Sequence, residues 1–226
     1  SIRTGKPMRE LIRDFVALAC DTLPLDGPIY EFGAFLVPGQ EKLADLRPLF
    51  PGKQYVGADM REGPGVDMIL NLHDVALPDA TAGTVLCLDT LEHVEYPHKA
   101  VQEIHRIIEP EGIAVITSVM DFPIHDYPYD YWRFTPEAFR SLLKPFAHAW
   151  VGHVGVKKFP HTVVGIGFKG SQPPLSRFEK GFSELRERYF VEKPMTTLKW
   201  VRKMITPPLL SGSARKKLGL VRRRSK

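Results

Sequence analysis

Between Met8 and Leu23 the apolar residues Met8, Leu11, Ile12, Phe15, Leu18, Ala19 and Leu23 return at steps of three and four, the spacing of a helix that lays one face on a core. Pro24, Asp26, Gly27 and Pro28 stop it. Compact apolar runs then follow at Ile29 to Phe32, Gln54 to Asp59, Val66 to Asn71 and Thr84 to Asp89. Such short, nearly unbroken runs suit strands buried on both faces of a parallel sheet. Pro97 to Ile108 carries Ala100, Val101, Ile104, Ile107 and Ile108 at helical spacing, Glu109-Pro110-Glu111-Gly112 ends it, and Ile113 to Ser118 reads as the next strand. A helix is expected over Phe134 to Leu143, an antiparallel strand pair over Ala147 to Val156 and Thr162 to Phe168, and an added helix over Arg177 to Tyr189. Strand and helix in alternation predict an α/β, doubly wound, mostly parallel sheet with an antiparallel pair near its C-terminal end. The expected division is an N-terminal helix packed on the core (1–27), a main domain (28–170), and a C-terminal helix with a tail (171–226).

Composition narrows the class. With 226 residues, 43% of them hydrophobic, the chain can bury one sizeable core. Cys20 and Cys87, the only two cysteines, sit inside apolar stretches, which suits buried thiols in a reducing compartment. Neither an apolar run of about 18 residues nor an apolar stretch at Ser1 to Lys6 is present, so a cytoplasmic protein is expected. The net charge of +5 conceals an asymmetry: residues 193–226 carry eleven Lys and Arg and no acid, which leaves 20 basic against 26 acidic side chains elsewhere. The tail has three readings. It can meet anionic lipid headgroups, with Trp200, Met204, Ile205, Leu209 and Leu210 as apolar contacts, placing the protein at the inner membrane face. It can neutralise nucleic-acid phosphates, or it can be a solvated end.

In open α/β sheets ligands bind beyond the carboxyl ends of the strands, where the strand order reverses. The residues closing these strands are Glu31 and Gly33, then Asp59, then Asn71 to Asp74, then Leu88 to His93. An ionised carboxylate at the end of the second strand can accept from both hydroxyls of a ribose, which makes Asp59 a nucleoside-binding candidate.

The order Tyr30-Glu31-Phe32-Gly33, Val56-Gly57-Ala58-Asp59, Leu86-Cys87-Leu88-Asp89-Thr90-Leu91-Glu92-His93-Val94 and Glu103 to Gly112 resembles class I methyltransferases of the methyltransferase type 11 group, over roughly residues 28–145. The resemblance implies a Rossmann-like fold and S-adenosyl-L-methionine as cofactor. It places Glu31 and Gly33, with Ala34, by the methionine part, Asp59 and Met60 at the ribose, His73 and Asp74 beside the adenine, and Leu88 and Asp89 near the sulfonium. The segment Ile124 to Thr135 resembles a subset associated with bacterial glycan and secondary-metabolite pathways, so a sugar, glycan or other small hydroxyl acceptor is expected. The chain departs from the family where Gly33 is followed by Ala34-Phe35-Leu36-Val37-Pro38-Gly39. Further glycines usually stand there, and a differently shaped loop must accommodate Phe35 and Val37.

A hydroxyl acceptor calls for a proton acceptor, and histidine is the usual supplier. His125, with Asp126 beside it, follows the fifth expected strand and is the first candidate; His93, after the fourth, is the second. Tyr129, Asp130, Tyr131, Trp132 and Arg133 crowd the loop beyond, where aromatic faces can pack on sugar rings and the charged pair can bond hydroxyls, or where the same residues can simply pin the loop. His105, His148, His153 and His161 show no ligand-like spacing, so no metal centre is expected. The absence of an Asp/Asn-Pro-Pro-aromatic element after the fourth strand argues against methylation of nucleic-acid bases. Two other classes compete. A nicotinamide oxidoreductase lacks its Gly-x-Gly-x-x-Gly turn here, and a catalytically degenerate binding module with a membrane- or polyanion-binding tail is the non-enzyme alternative.

Overall fold

The computed structural model describes residues 8–125 and 128–190. Asp126 and the basic tail therefore lie outside the described residues, and so does the membrane contact expected of that tail. Helix α1 (Met8–Thr22) leads into β1 (Ile29–Phe32), a one-turn helix α2 (Glu41–Ala44) and β2 (Tyr55–Asp59). Next come β3 (Met68–Ile69), β4 (Ala82–Leu88), α3 (Pro97–Ile107), β5 (Ile108–Val119), α4 (Pro136–Leu142), β6 (His148–Val156), β7 (Phe159–Phe168) and α5 (Ser176–Arg188). The seven strands form one sheet in the order β3-β2-β1-β4-β5-β7-β6. The first five are parallel; β7 runs antiparallel to β5, and β6 antiparallel to β7. This is the mostly parallel, doubly wound α/β sheet that the alternation of runs predicts.

Strand periodicity separates the two faces of the sheet. Tyr30, Phe32, Val85, Cys87, Ala114 and Ile116 share a core with Val101 and Ile104 of α3 and with Phe139 and Leu142 of α4. Ile29, Leu86, Ile113, Val115 and Ile166 share the other with Leu11, Phe15 and Val16 of α1 and with Phe178, Phe182 and Leu185 of α5. Strands buried on both sides need both sets of residues apolar, which is why they read as continuous runs.

Two local expectations change. Val66 to Asn71 forms only a two-residue strand, with Ile69 62% exposed, because β3 is the sheet edge and has β2 as its sole partner. Its apolar signal comes instead from Leu70 and Leu72, which turn into the core beyond the strand. Strand β5 begins at Ile108, directly after α3, so Glu109 to Gly112 lies inside the strand rather than breaking the chain before it. Ala82 pairs with Ile108 there, and the register shifts before Thr84 meets Ile113. The connection from β1 to β2 carries, besides α2, only a 3₁₀ turn at Arg47–Leu49. Its shape depends on Arg47, whose guanidinium donates to Gly65 O and to Asp67 Oδ2, each at 2.8 Å.

Phe15 fastens α1 to α5. Its ring meets those of Phe178 and Phe182 edge-on at centroid distances of 6.1 and 6.0 Å, and Trp150 of β6 completes the group. Phe15→Ala is therefore expected to lower the unfolding free energy by about 3–5 kcal/mol, measured by urea denaturation. A loss under about 1 kcal/mol would contradict a fully buried ring at this position.

Candidate active site

The strand order reverses between β1 and β4. The chain leaves β1 for β2 on one side and returns to β4 on the other, so the carboxyl ends of these three strands surround a crevice. Thr90 ties two of the ends together, its hydroxyl lying 2.9 Å from Leu88 O and 3.2 Å from Phe32 O. Gly33 faces it in the left-handed region, at φ +84°, and a Cβ there would fall 2.1 Å from Thr90 Oγ1. Only glycine meets both demands. Gly33 N and Ala34 N both donate to Ala58 O, at 2.9 and 3.1 Å, which folds the loop back across β2, and Ala34 is buried.

The loop after Gly33 does take its own shape. Leu36 N donates to Pro64 O, and the Phe35 ring covers Gly63, where a Cβ would lie 2.3 Å from it. The Arg61 guanidinium stacks on the same ring, 4.6 Å from its centroid. Phe35 is thus absorbed by the turn between β2 and β3. Val37 is 39% exposed.

Asp59 closes β2. Its Oδ1 accepts from Arg61 N at 2.9 Å and from Arg61 Nε at 3.1 Å, while Oδ2 has no hydrogen-bond partner among the described residues. Met60 beside it is 65% exposed. Glu31 is buried in β1, and Tyr55 donates to its Oε2 at 2.6 Å. Burial pushes the Glu31 carboxyl up to about 7, with the Tyr55 hydrogen bond acting in the opposite direction. His73 accepts from Tyr96 N through Nε2 at 3.2 Å and meets the Tyr96 ring edge-on. Asp74 bridges back to Asn71, and its amide donates to Asn71 O.

Leu88, the last residue of β4, is half-buried, and Asp89 after it adopts a left-handed φ of +46°. Its carboxylate accepts from Thr117 at 2.8 Å, and desolvation raises its proton affinity. The 3₁₀ turn Leu91–His93 then presents Glu92 and His93, and the loop after β5 brings His125 against them. The two imidazole rings lie 4.7 Å apart, edge to face. Glu92 is fully buried, and desolvation first, then the charge of Asp89, pushes its carboxyl up to about 8. Sequence reasoning recorded the Leu-Glu-His-Val run without assigning Glu92 a role. The missed signal was a carboxylate next to a histidine at one strand end, with a second histidine after the neighbouring parallel strand.

The residues of the aromatic loop are partly bound to one another. Arg133 grips Asp130 through both terminal nitrogens and also donates to the carbonyls of Phe122 and Pro123. Trp132 donates from its indole to Val94 O at 3.0 Å, and the amides of Tyr131 and Trp132 both reach Glu92 O. This leaves the rings of Tyr129, Tyr131 and Trp132 substantially exposed along the rim, together with Ile124.

Residues 51–116 match a family described as a methyltransferase domain. The match takes in β2, β3, β4, α3 and most of β5. No curated protein matches the chain in sequence. Solved structures share the fold at low identity. An S-adenosylmethionine-dependent methyltransferase, possible histamine N-methyltransferase, from Thermotoga maritima aligns over 70% of this chain and 89% of its own, with 18% identity and a TM-score of 0.52. The CurJ carbon methyltransferase aligns over 73% of this chain with 13% identity and a TM-score of 0.54, and this chain spans 54% of it. Of the citrinin polyketide synthase CMeT domain structure, the chain spans 47%. The Thermotoga maritima protein is described as S-adenosylmethionine-dependent, and the crevice here offers groups that suit a nucleoside ligand. Asp59 keeps one carboxylate oxygen without a partner among the described residues, and Gly33 leaves the loop backbone bare beyond β1.

Glu31 has a consequence for pH. Its folded-state pKa of about 7 lies above the ordinary 4.5, so the folded chain holds a proton that the unfolded chain has lost, and stability falls as pH rises through that window. Glu31→Gln removes the titration. Urea unfolding should show the variant gaining about 1–3 kcal/mol on wild type between pH 5 and pH 8. A constant difference across that range would show that Glu31 titrates normally.

Proposed function

We propose that the protein is an S-adenosylmethionine-dependent O-methyltransferase acting on a hydroxyl of a sugar, glycan or other small molecule. The observation that carries this reading is the pairing of His93 and His125 beyond β4 and β5, on the side of the sheet where ligands bind. The bound cofactor supplies an electrophilic methyl carbon. The chain's own residues supply position: Asp59 holds the ribose, Glu31 and the Gly33 turn hold the methionine end, and Leu88 and Asp89 border the reacting centre. With cofactor and acceptor so fixed, much of the rate of an in-line transfer comes from orientation.

The exposed rings of Tyr129, Tyr131 and Trp132 offer flat apolar faces on which a sugar ring can stack. Asp130 and Arg133, bonded to each other, serve this rim by holding its backbone. The imidazoles of His93 and His125 stand at the acceptor end, where they can hold the group that promotes loss of the acceptor's proton.

Asp59→Ala is expected to weaken binding of S-adenosylhomocysteine by about 1–3 kcal/mol in titration calorimetry; unchanged affinity removes Asp59 from the cofactor site. The acceptor atom is read out separately, with methyl-labelled cofactor and a panel of glycosides and amines. A methyl ether is the expected product, and methylation confined to nitrogen or carbon would overturn the oxygen assignment.

A further inference from the structure

Glu92 is fully buried, yet its Oε1 has no hydrogen-bond partner among the described residues. Its other oxygen accepts from Ser118 Oγ at 2.6 Å. A carboxylate oxygen withdrawn from water and left unpaired is costly, so its surroundings matter. Glu92, His93 and His125 each bring a ligating atom within 4.8 Å of the other two.

The imidazoles are oriented as ligands are. His93 Nδ1 lies 2.7 Å from Tyr129 O, and a carbonyl can only accept, so that nitrogen carries the hydrogen. His125 Nδ1 lies 3.2 Å from Pro123 O and 3.3 Å from Asp130 Oδ2, both acceptors. In each ring the lone pair is thereby left on Nε2. Asp130 is itself held by Arg133 and by the amide of His125 at 2.7 Å. A histidine whose far nitrogen donates to a carboxylate or carbonyl is the usual supporting arrangement around a metal ligand.

We propose that Glu92, His93 and His125 bind a divalent transition-metal cation, with Mn²⁺ as its representative, at the acceptor end of the crevice. One carboxylate and two imidazoles suit a divalent first-row cation that takes mixed oxygen and nitrogen ligands, and three protein ligands leave coordination positions open for water and acceptor. Bonds of about 2.1 Å require the ligating atoms to draw closer than they stand, and the two half-buried histidines are the members able to move.

The role of the cation rests on the O-methyltransferase reading. A hydroxyl bound to it becomes more acidic. Its proton passes to water at the open rim, the freed oxygen pair forms the bond to the methyl carbon, and the carbon–sulfur bond breaks with its electron pair remaining on sulfur. His93 and His125 are ligands in this scheme, and neither receives the proton.

The test uses untagged full-length chain stripped with chelator and titrated with Mn²⁺, the free ion being followed by electron paramagnetic resonance. A single bound equivalent is expected, weakened about tenfold or more by Glu92→Gln or His125→Asn, and about 10- to 100-fold by Asp130→Asn. Circular dichroism and S-adenosylhomocysteine affinity establish that each variant is folded. Should Glu92→Gln fail to fold, His125→Asn at the half-exposed position carries the comparison. Absence of Mn²⁺ binding, or binding that neither substitution alters, overturns the site. Binding of S-adenosylhomocysteine without Mn²⁺ defeats the cation and leaves the methyltransferase reading intact; Mn²⁺ without S-adenosylhomocysteine does the reverse.

Discussion

Everything at the crevice depends on β1 being hydrogen-bonded on both sides while its neighbours are separated in sequence. Four residues, Ile29 to Phe32, pair with β2 through Ile29–Tyr55 and with β4 through Ile29–Thr84. Parallel register brings Phe32, Asp59 and Leu88 to the same edge, and the reversal of strand order opens the space between their loops. Thr90 bonds to both strand ends, and Gly33 gives it room. A side chain at Gly33 would push the β1 loop away from β4.

A second layer of organisation runs outward from that edge. Glu92 accepts from Ser118 within the core and, through its carbonyl, from the amides of Tyr131 and Trp132. One residue therefore couples the turn after β4 to the loop after β5. Arg133 and Asp130 stiffen the same loop from the other side. The rim owes its form to backbone carbonyls and one part-buried ion pair, which leaves its aromatic faces exposed. The short apolar strands, by contrast, contribute geometry alone.

The sheet was legible because parallel strands buried on both faces leave an uninterrupted apolar signature, and because α3 keeps a clean helical period from Pro97 to Ile107. The signature misled at β3, where Leu70 and Leu72 are buried by a turn and not by strand pairing. It gave no warning that Glu109 to Gly112 would be extended, since Pro and Gly end helices and strands alike. Asp59 and Gly33 were readable from position, one as an acid closing a strand and the other as a glycine ending one. The cluster of Glu92, His93 and His125 was not. Its members are neighbours only because β4 and β5 lie side by side, and spacing rules for metal ligands look along the chain. Phe35 was recognised as a departure, but its resting place over Gly63 depends on Arg61, which no local pattern reveals.

In the proposed reading the cofactor spans the crevice from Asp59 toward the histidines. A crystal structure with S-adenosylhomocysteine tests it directly. Ribose hydroxyls on Asp59 and a sulfur facing His93 and His125 within roughly 8 Å, the span of an acceptor oxygen and one bridging ligand, are the expected result. A nucleoside bound away from Asp59, or a sulfur turned toward the opposite side of the sheet edge, would contradict it.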